Sequence, residues 1–248
     1  MLAVARATAA LCALIGGAAA VCSNAPGPPI ASEFTRKNMK VSVFGLGYVG
    51  AVSCACLPEL GHEVVGVDIN PLKVELIASG QSPVVEEGIE ELIGAAVKAG
   101  KLTATRDVAA AVAGTEISLI SVATPSLPNY MPDLTALDAV VGQIGAEIAK
   151  KGGQHTLVIR STVAPGTTRE RIAPLLEKAA GRKIGDRLSL VFNPEFLREG
   201  SSVSDFHNPP QTIVGSLDEA GVEPLHDLDA GFIQAADDGL RRVVEVGH

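Results

Sequence analysis

A chain of 248 residues is long enough to bury a substantial core, as one large domain or as one domain with a fragment attached. Hydrophobic residues make up 47% of the sequence and charged residues 19%, which indicates a globular protein and argues against intrinsic disorder. The net charge of −8 argues against nucleic acid as the main partner, because phosphate backbones are bound by clustered lysine and arginine.

The first 38 residues do not share the pattern of the rest of the chain. Arg6, an apolar run over residues 9–21 and a proline-rich stretch at 26–29 resemble a secretory signal, but the apolar run is too short to span a membrane. We interpret residues 1–38 as an upstream extension, from a misplaced start or from cloning, in preference to a real targeting segment. The folded domain is expected to begin at Met39, and no membrane partner is expected.

The four cysteines lack the spacing of a metal site, so no bound metal is predicted. Cys12 and Cys22 lie in the extension, whereas Cys54 and Cys56 fall on a predicted helix. Free cysteines on a helix usually behave as small buried hydrophobic residues. A reducing compartment fits this cysteine content best.

The most informative stretch is a glycine turn between two short strands. A predicted strand at 41–44 runs into Gly45-Leu46-Gly47-Tyr48-Val49-Gly50, and a second predicted strand at 64–67 ends at Asp68. A helix is expected to start near Tyr48, with Pro58 giving it an early end or a kink. The order of strand, turn, helix, strand and acid predicts a dinucleotide site; the alternative is a glycine-rich turn that only packs.

Each residue of this turn has a physical reason in such a site. Gly45 permits the tight turn, Gly47 lets the backbone approach a diphosphate, and Gly50 lets the helix pack closely on the sheet. The unpaired amides at the start of the helix favour an anion. Asp68 can accept hydrogen bonds from an adenosine ribose and repels a 2′-phosphate, so the predicted cofactor is NAD rather than NADP.

The rest of the chain alternates helices with strands. Helices are predicted at 70–78, 88–99, 107–112, 133–151 and 168–180, and strands at 116–122, 155–159, 188–192 and 212–214. This alternation predicts an α/β, Rossmann-like, doubly wound and mostly parallel sheet with helices on both faces. The expected NAD-binding domain covers 39–220, and a tail covers 221–248.

Three polar loops follow predicted strands, at Thr124-Pro125, Ser161-Thr162 and 193–199. Ligands of parallel α/β sheets bind at the carboxyl ends of the strands. The three loops are therefore expected to surround one crevice together with the glycine turn.

Five motifs follow one another between Met39 and about Gly215: FGLGYVG, VGVD with a lysine five residues on, VATP, RSTVAPGTT and NPEFLREG. In this order the chain resembles the N-terminal half of the UDP-glucose/GDP-mannose dehydrogenase family. The combination of FGLGYVGAV, SPVVEEG and DFHNPPQTIVG is more similar to GDP-mannose 6-dehydrogenases, with UDP-glucose 6-dehydrogenase as the alternative.

The resemblance implies oxidation of the primary alcohol of a nucleotide sugar to a carboxylate, in two NAD-dependent hydride transfers that pass through a thioester. It implies NAD contacts by Tyr48, Val49, Asp68, Lys73, Thr124 and Thr162. It also places Glu195 by the sugar, where with Thr162 it would assist the hydrolytic water, and lays Phe196, Leu197, Arg198 and Glu199 along the substrate. The structural alternatives are a loop carboxylate for Glu195, a turn hydroxyl for Thr162 and surface charges for Lys73, Arg198 and Glu199.

The family's catalytic cysteine, and a lysine and an asparagine on its central helix, correspond to positions after residue 248. Tail residues 241–246 resemble the lead-in to that helix. The chain is therefore expected to be incomplete and inactive alone, with assembly into a homo-oligomer depending on the C-terminal half.

A cytoplasmic location is expected, since a secreted enzyme would lack NAD. A non-catalytic NAD-binding module is another interpretation, whereas NPEFLREG argues against a β-hydroxyacid dehydrogenase.

Overall fold

A computed structural model describes residues 38–228 and 243–246, which form one eight-stranded sheet with helices on both faces. The strands are β1 (Lys40–Phe44), β2 (Glu63–Val67), β3 (Leu102–Thr105), β4 (Ile117–Ile120), β5 (His155–Ile159), β6 (Leu188–Phe192), β7 (Ile213–Ser216) and β8 (Val243–Val246). Their spatial order is β3-β2-β1-β4-β5-β6-β7-β8. All neighbours pair in parallel except β6 and β7, which are antiparallel. The predicted Rossmann-like, mostly parallel sheet is confirmed.

The helices that cover this sheet are α1 (Tyr48–Cys56), α2 (Pro71–Ala78), α3 (Ile89–Lys98), α4 (Val108–Gly114), α5 (Thr135–Lys150), α6 (Ala173–Ala180), α7 (Ser202–His207) and α8 (Glu223–Leu228). A π-helical segment, Thr168–Ile172, leads into α6, so the helix predicted at 168–180 is divided in two. The sequence patterns did not predict β3, α7, α8 or β8, which are each four to six residues long. Elements this short have too few residues to establish a periodicity.

Several predicted boundaries have a visible cause. The α-helical part of α1 ends at Cys56, and a 3₁₀ turn containing Pro58 follows, as the proline predicted. The Asn70 side chain caps α2 by accepting from the Leu72 amide, and Asp107 caps α4 in the same way. Within the described ranges, none of the helices combines the length and apolar character needed to cross a bilayer.

Two apolar layers, one on each face of the sheet, form the core. Alternate residues of the fully buried β5 point to opposite faces: Val158 packs in one layer, and Leu157 and Ile159 pack in the other. Burial on both faces is what helices on both sides of a parallel sheet require.

The sheet brings the predicted polar loops to one edge. Strands β1, β4, β5 and β6 run in parallel, so their carboxyl ends meet on the same side. The chain order reverses between β1 and β4, since β2 and β3 extend the sheet one way and β4 and β5 the other. A crevice opens at such a reversal and is the usual ligand position in this architecture.

Residues 1–37, 229–242 and 247–248 lie outside the described residues. The expectations for the extension, with Cys12 and Cys22, and for most of the tail therefore stay predictions.

A buried polar network lies away from this edge. The Ser118 hydroxyl is 2.8 Å from both the Ser42 hydroxyl and Nε2 of His155, and Nζ of Lys151 lies 3.2 Å from Nδ1 of that ring. Burial, with a smaller contribution from the Lys151 charge, lowers the pKa of His155 to about 3. Between about pH 3 and pH 6.5, His155 therefore stays neutral in the folded protein, whereas the unfolded chain would protonate it.

We predict that His155 makes the protein sensitive to mild acid. Below its ordinary pKa of about 6.5 the unfolded state gains a proton that the folded state excludes until about pH 3, so stability falls as pH falls across that window. The loss should approach ~1.4 kcal/mol per pH unit, or roughly 2 kcal/mol between pH 6.5 and 5. Urea unfolding of the wild type and of His155→Gln at pH 7 and pH 5 measures this decrease in the free energy of unfolding. The decrease should be smaller in the variant, whereas equal decreases in both proteins would refute the role of His155.

Candidate active site

The glycine turn packs so tightly that two of its positions exclude any side chain. Gly45 has φ +94°, and a Cβ there would lie 2.9 Å from the Ser121 carbonyl oxygen. A Cβ at Gly50 would lie 1.8 Å from the Gly45 carbonyl oxygen. These contacts bring the start of α1 directly onto the ends of β1 and β4, which is where a ligand of this crevice would meet backbone amides.

Gly47 differs from these two glycines, because it borders open space. It is the N-cap of α1 with an ordinary extended conformation, and a Cβ there would meet no protein atom within 4 Å. The packing of the described residues therefore gives no reason for glycine here. A ligand that must approach the backbone closely gives one, and the residues present fit the diphosphate of a dinucleotide.

The amides beside Gly47 are suited to an anion. The N–H groups in the first turn of a helix have no intrahelical acceptor, and here they belong to Tyr48, Val49 and Gly50. Ala51 is the first to donate within the helix, to the Gly47 carbonyl at 2.9 Å. The positive end of the helix dipole adds to the attraction for a diphosphate.

Asp68 lies at the carboxyl end of β2 and fixes the turn from that side. Its Oδ2 accepts from the Leu46 amide at 2.7 Å, and its Oδ1 accepts from the Asn70 amide at 2.8 Å. An ionised carboxylate has about four acceptor positions, so lone pairs remain for ribose hydroxyls. Nζ of Lys73 lies 3.8 Å from Oδ2, so this lysine lies beside Asp68.

The loops after β4 and β5 contact each other. The Thr124 hydroxyl donates to the Thr162 carbonyl at 2.7 Å, and the buried Ser161 hydroxyl donates to the Val122 carbonyl at 2.7 Å. The Ser121 hydroxyl donates to the Gly45 carbonyl at 3.0 Å and so joins these loops to the glycine turn. The glycine turn and the loops after β4 and β5 are thus in direct contact, as the sequence predicted.

The loop after β6 forms one wall of a pocket of about 280 Å³, counted out to its open mouth. Residues 193–197 line it together with Arg160, Asp205 and Phe206. Oε2 of Glu195 accepts from the Leu197 amide at 2.6 Å, whereas among the described residues Oε1 accepts no hydrogen bond. One oxygen is therefore used for the shape of the loop, and the other remains for a ligand.

The predicted substrate segment is held in different ways along its length. Phe196 and Leu197 are half-buried in the pocket wall, and Glu199 is exposed. The Arg198 guanidinium forms two hydrogen bonds to buried Asp205, at 2.6 and 3.0 Å. The Arg198 amide also donates to this carboxylate, whose pKa falls to about 2 chiefly because of the Arg198 side chain. Arg198 therefore fixes the loop to α7.

Sequence reasoning missed Glu86, which joins the substrate loop to the cofactor helix. The Tyr48 hydroxyl donates to its Oε2, and the amides of Gly200 and Ser202 donate to its carboxylate at 2.9 and 3.0 Å. The Tyr48 hydrogen bond is the main cause that lowers the pKa of Glu86, while burial and this contact raise the pKa of Tyr48. No local signal could identify this role, because Glu86 lies 38 residues from Tyr48 and 114 from Gly200.

Comparisons with known proteins agree with this geometry. Residues 39–233 match the model of the UDP-glucose/GDP-mannose dehydrogenase family, NAD binding domain. The GDP-mannose 6-dehydrogenase of Pseudomonas syringae pv. syringae is 45% identical over 200 residues, which are 79% of this chain and 46% of that protein. The UDP-glucose 6-dehydrogenase of Haloferax volcanii is 37% identical over 209 residues, 84% of this chain and 48% of that protein.

A solved structure shows the same fold. The ternary complex of GDP-mannose dehydrogenase from Pseudomonas aeruginosa superposes with a TM-score of 0.76 and 39% identity, over 84% of this chain and 46% of that one. The present chain spans just under half the length of the relatives that it matches. It belongs to the UDP-glucose/GDP-mannose dehydrogenase family, and residues 39–233 are the NAD-binding domain of that family.

Proposed function

We propose that this chain is the cofactor-binding part of a nucleotide-sugar 6-dehydrogenase that oxidises GDP-mannose to GDP-mannuronate. The main support for the proposal is the open space next to Gly47, in the turn that Asp68 contacts through the Leu46 amide. The Glu195 pocket lies at the same edge of the sheet. GDP-mannose is favoured because the GDP-mannose 6-dehydrogenase of Pseudomonas syringae pv. syringae is 45% identical to this chain, against 37% for the UDP-glucose 6-dehydrogenase of Haloferax volcanii. UDP-glucose is the second candidate substrate for the same site.

The chain's own residues would bind and orient the cofactor. The amides of Tyr48 and Val49 would receive the diphosphate, and Asp68 and Lys73 would hold the adenosine ribose. Thr124 and Thr162 lie on the strand ends across the crevice, where they would contact the other half of the dinucleotide. NAD, when bound, supplies the acceptor for the hydride that leaves the sugar alcohol.

Glu195 would be the general base of the hydrolytic step, and Thr162 would assist it. The support for Glu195 is a carboxylate in a pocket with one oxygen fixed by the Leu197 amide and the other available. A base so fixed can hold a water and take up its proton without first having to be oriented. Thr162 is exposed at the end of β5, and Thr124 fixes its carbonyl.

The two cysteines of the described residues are poorly suited to capture an aldehyde. Both are fully buried on α1, and burial is the main cause that raises the pKa of Cys54 strongly and that of Cys56 to about 12. A thiol in this state is not a nucleophile near neutral pH. The thioester chemistry would therefore need a cysteine from elsewhere in the complete enzyme.

Cofactor titration followed by substrate assays tests the proposed function. Calorimetry with NAD on this chain should show binding, and the absence of binding would refute the proposal. NADH formation would then be followed with GDP-mannose and with UDP-glucose, on an enzyme completed by the C-terminal half of a family relative. Faster turnover of GDP-mannose is expected. NAD binding with no turnover of either sugar would favour a non-catalytic NAD-binding module.

We predict opposite effects for alanine at two glycines of the same turn. Gly50→Ala places a methyl group against the Gly45 carbonyl and should destabilise the fold by about 2 kcal/mol or more. Gly47→Ala meets open space, so it should change stability by no more than about 0.5 kcal/mol. It should nevertheless weaken NAD binding at least about tenfold, since the methyl group occupies the space assigned to the diphosphate. Urea unfolding and NAD titration of both variants separate the two effects; unchanged NAD affinity in Gly47→Ala would count against the site.

We predict that Asp68 sets the preference for NAD. Asp68→Ala should weaken NAD binding and relax discrimination against NADP, because both the ribose acceptor and the negative charge are lost. Asp68→Asn keeps an oxygen that can accept from the Leu46 amide and removes the charge alone. It should lower the ratio of the NADP to the NAD dissociation constants about tenfold or more. The exposed Glu63, at the other end of β2, provides a charge-matched control as Glu63→Gln. A ratio that shifts equally in the control would contradict the role of Asp68.

In the completed enzyme, Glu195→Gln should slow thioester hydrolysis at least about 100-fold while changing the NAD dissociation constant little. Quenched single-turnover measurements would reveal accumulation of the thioester. The control is Glu90→Gln, an exposed carboxylate on α3, which should leave the hydrolysis step unchanged. An equal loss of NAD binding and hydrolysis in Glu195→Gln would instead indicate a role in folding.

A further inference from the structure

Three side chains of different chemistry meet where the ends of α1 and α7 come together. Cys56 ends α1, Glu59 lies in the 3₁₀ turn that follows, and His207 ends α7. The Cys56 sulfur, a Glu59 carboxylate oxygen and a His207 ring nitrogen all lie within 4.8 Å of one another. Nε2 of His207 is 3.0 Å from Oε2 of Glu59.

This geometry is close to that of a bound tetrahedral metal. With bonds of about 2.3 Å to sulfur and about 2.0–2.2 Å to nitrogen and oxygen, ligand atoms around zinc lie roughly 3.3–3.7 Å apart. The His207 nitrogen and the Glu59 oxygen, 3.0 Å apart, are already close to this range, and the other two separations are no more than 4.8 Å. Cys56 ends α1 and Glu59 lies three residues on, in the 3₁₀ turn that continues the chain, whereas His207 approaches from a separate helix.

The three residues differ in burial. Cys56 is fully buried, while the side chains of Glu59 and His207 retain 43% and 29% of their exposure. The carboxylate and the imidazole are therefore accessible from solvent, and the sulfur lies within 4.8 Å of both. Three protein ligands with a solvent side match zinc sites that keep a fourth position for water.

We propose that Cys56, Glu59 and His207 form a site for a thiophilic divalent metal ion, with zinc as the best match. Mixed sulfur, nitrogen and oxygen ligands favour Zn²⁺ or Co²⁺ over Mg²⁺ and Ca²⁺, which select oxygen alone. The site lies outside the crevice assigned to cofactor and substrate, and it does not depend on the proposed function.

The metal would join the cofactor helix to the helix that shapes the pocket. On α7, Asp205 holds Arg198 and Phe206 lines the pocket, with the Arg160 guanidinium 5.9 Å from its ring centroid. The next residue is His207. A metal ligated by His207 and by two residues at the end of α1 would fix α7 against α1, and the stability of the protein would rise with metal concentration.

Cobalt binding to the reduced, chelator-treated full chain tests the site. One equivalent of Co²⁺ should produce the near-ultraviolet thiolate-to-cobalt charge-transfer band, and Zn²⁺ should displace it and raise the melting temperature. Cys56→Ser should abolish the band. Cys54→Ser, a buried cysteine on the same helix, should retain it, and so should the double variant Cys12→Ser/Cys22→Ser.

Two further variants cover the event that Cys56→Ser fails to fold. Glu59→Gln and His207→Gln alter partly exposed side chains, so both should fold, and each should weaken Co²⁺ binding at least about tenfold. Glu63→Gln, the next exposed carboxylate along the chain, should leave the affinity unchanged. The proposal is overturned if the wild type shows no band, if the band survives Cys56→Ser or disappears in the double variant, or if Glu59→Gln and His207→Gln bind Co²⁺ as the wild type does.

Discussion

The hydrogen bonds from the Leu46 and Asn70 amides to the Asp68 carboxylate hold the cofactor site together. They join the tip of β2 to the glycine turn after β1, so the residue suited to the ribose also sets the position of the amides suited to the diphosphate. Close backbone contacts of Gly45 and Gly50 complete the turn. The carboxylate therefore shapes the turn and is also the proposed ribose ligand, and a change of charge alone is the informative way to separate the two roles.

A second set of carboxylates organises the loop proposed to bind the substrate. Glu86 connects Tyr48 to the amides of Gly200 and Ser202, and Asp205 grips Arg198 through both side chain and backbone. Each negative charge is satisfied by several donors, which favours its ionised form. The loop that carries Glu195 is consequently held at its far end by contacts to α1 and α7, so the geometry of cofactor and substrate regions is linked.

The short helix α7 has a larger role than its six residues indicate. Successive residues face the Arg198 side chain, the pocket and the cysteine at the end of α1. A contact that fixes the position of α7 therefore also fixes Asp205 and Phe206, which line the pocket. The proposed metal site would act through this connection without a ligand in the crevice.

The sequence alone determined the Rossmann-like sheet, the glycine turn and the acid at the tip of β2, because these depend on short-range order: a strand, three glycines at fixed spacing, a helix and a second strand. It also placed the polar loops at strand ends, where a parallel sheet must gather them. Only the tertiary structure decided that Glu86 reaches Tyr48, that Asp205 holds Arg198 and that Cys56, Glu59 and His207 converge. Several of these contacts join distant segments, as Glu59 and His207 do across 148 residues, through elements too short to carry a periodic signal, so no local pattern specifies them.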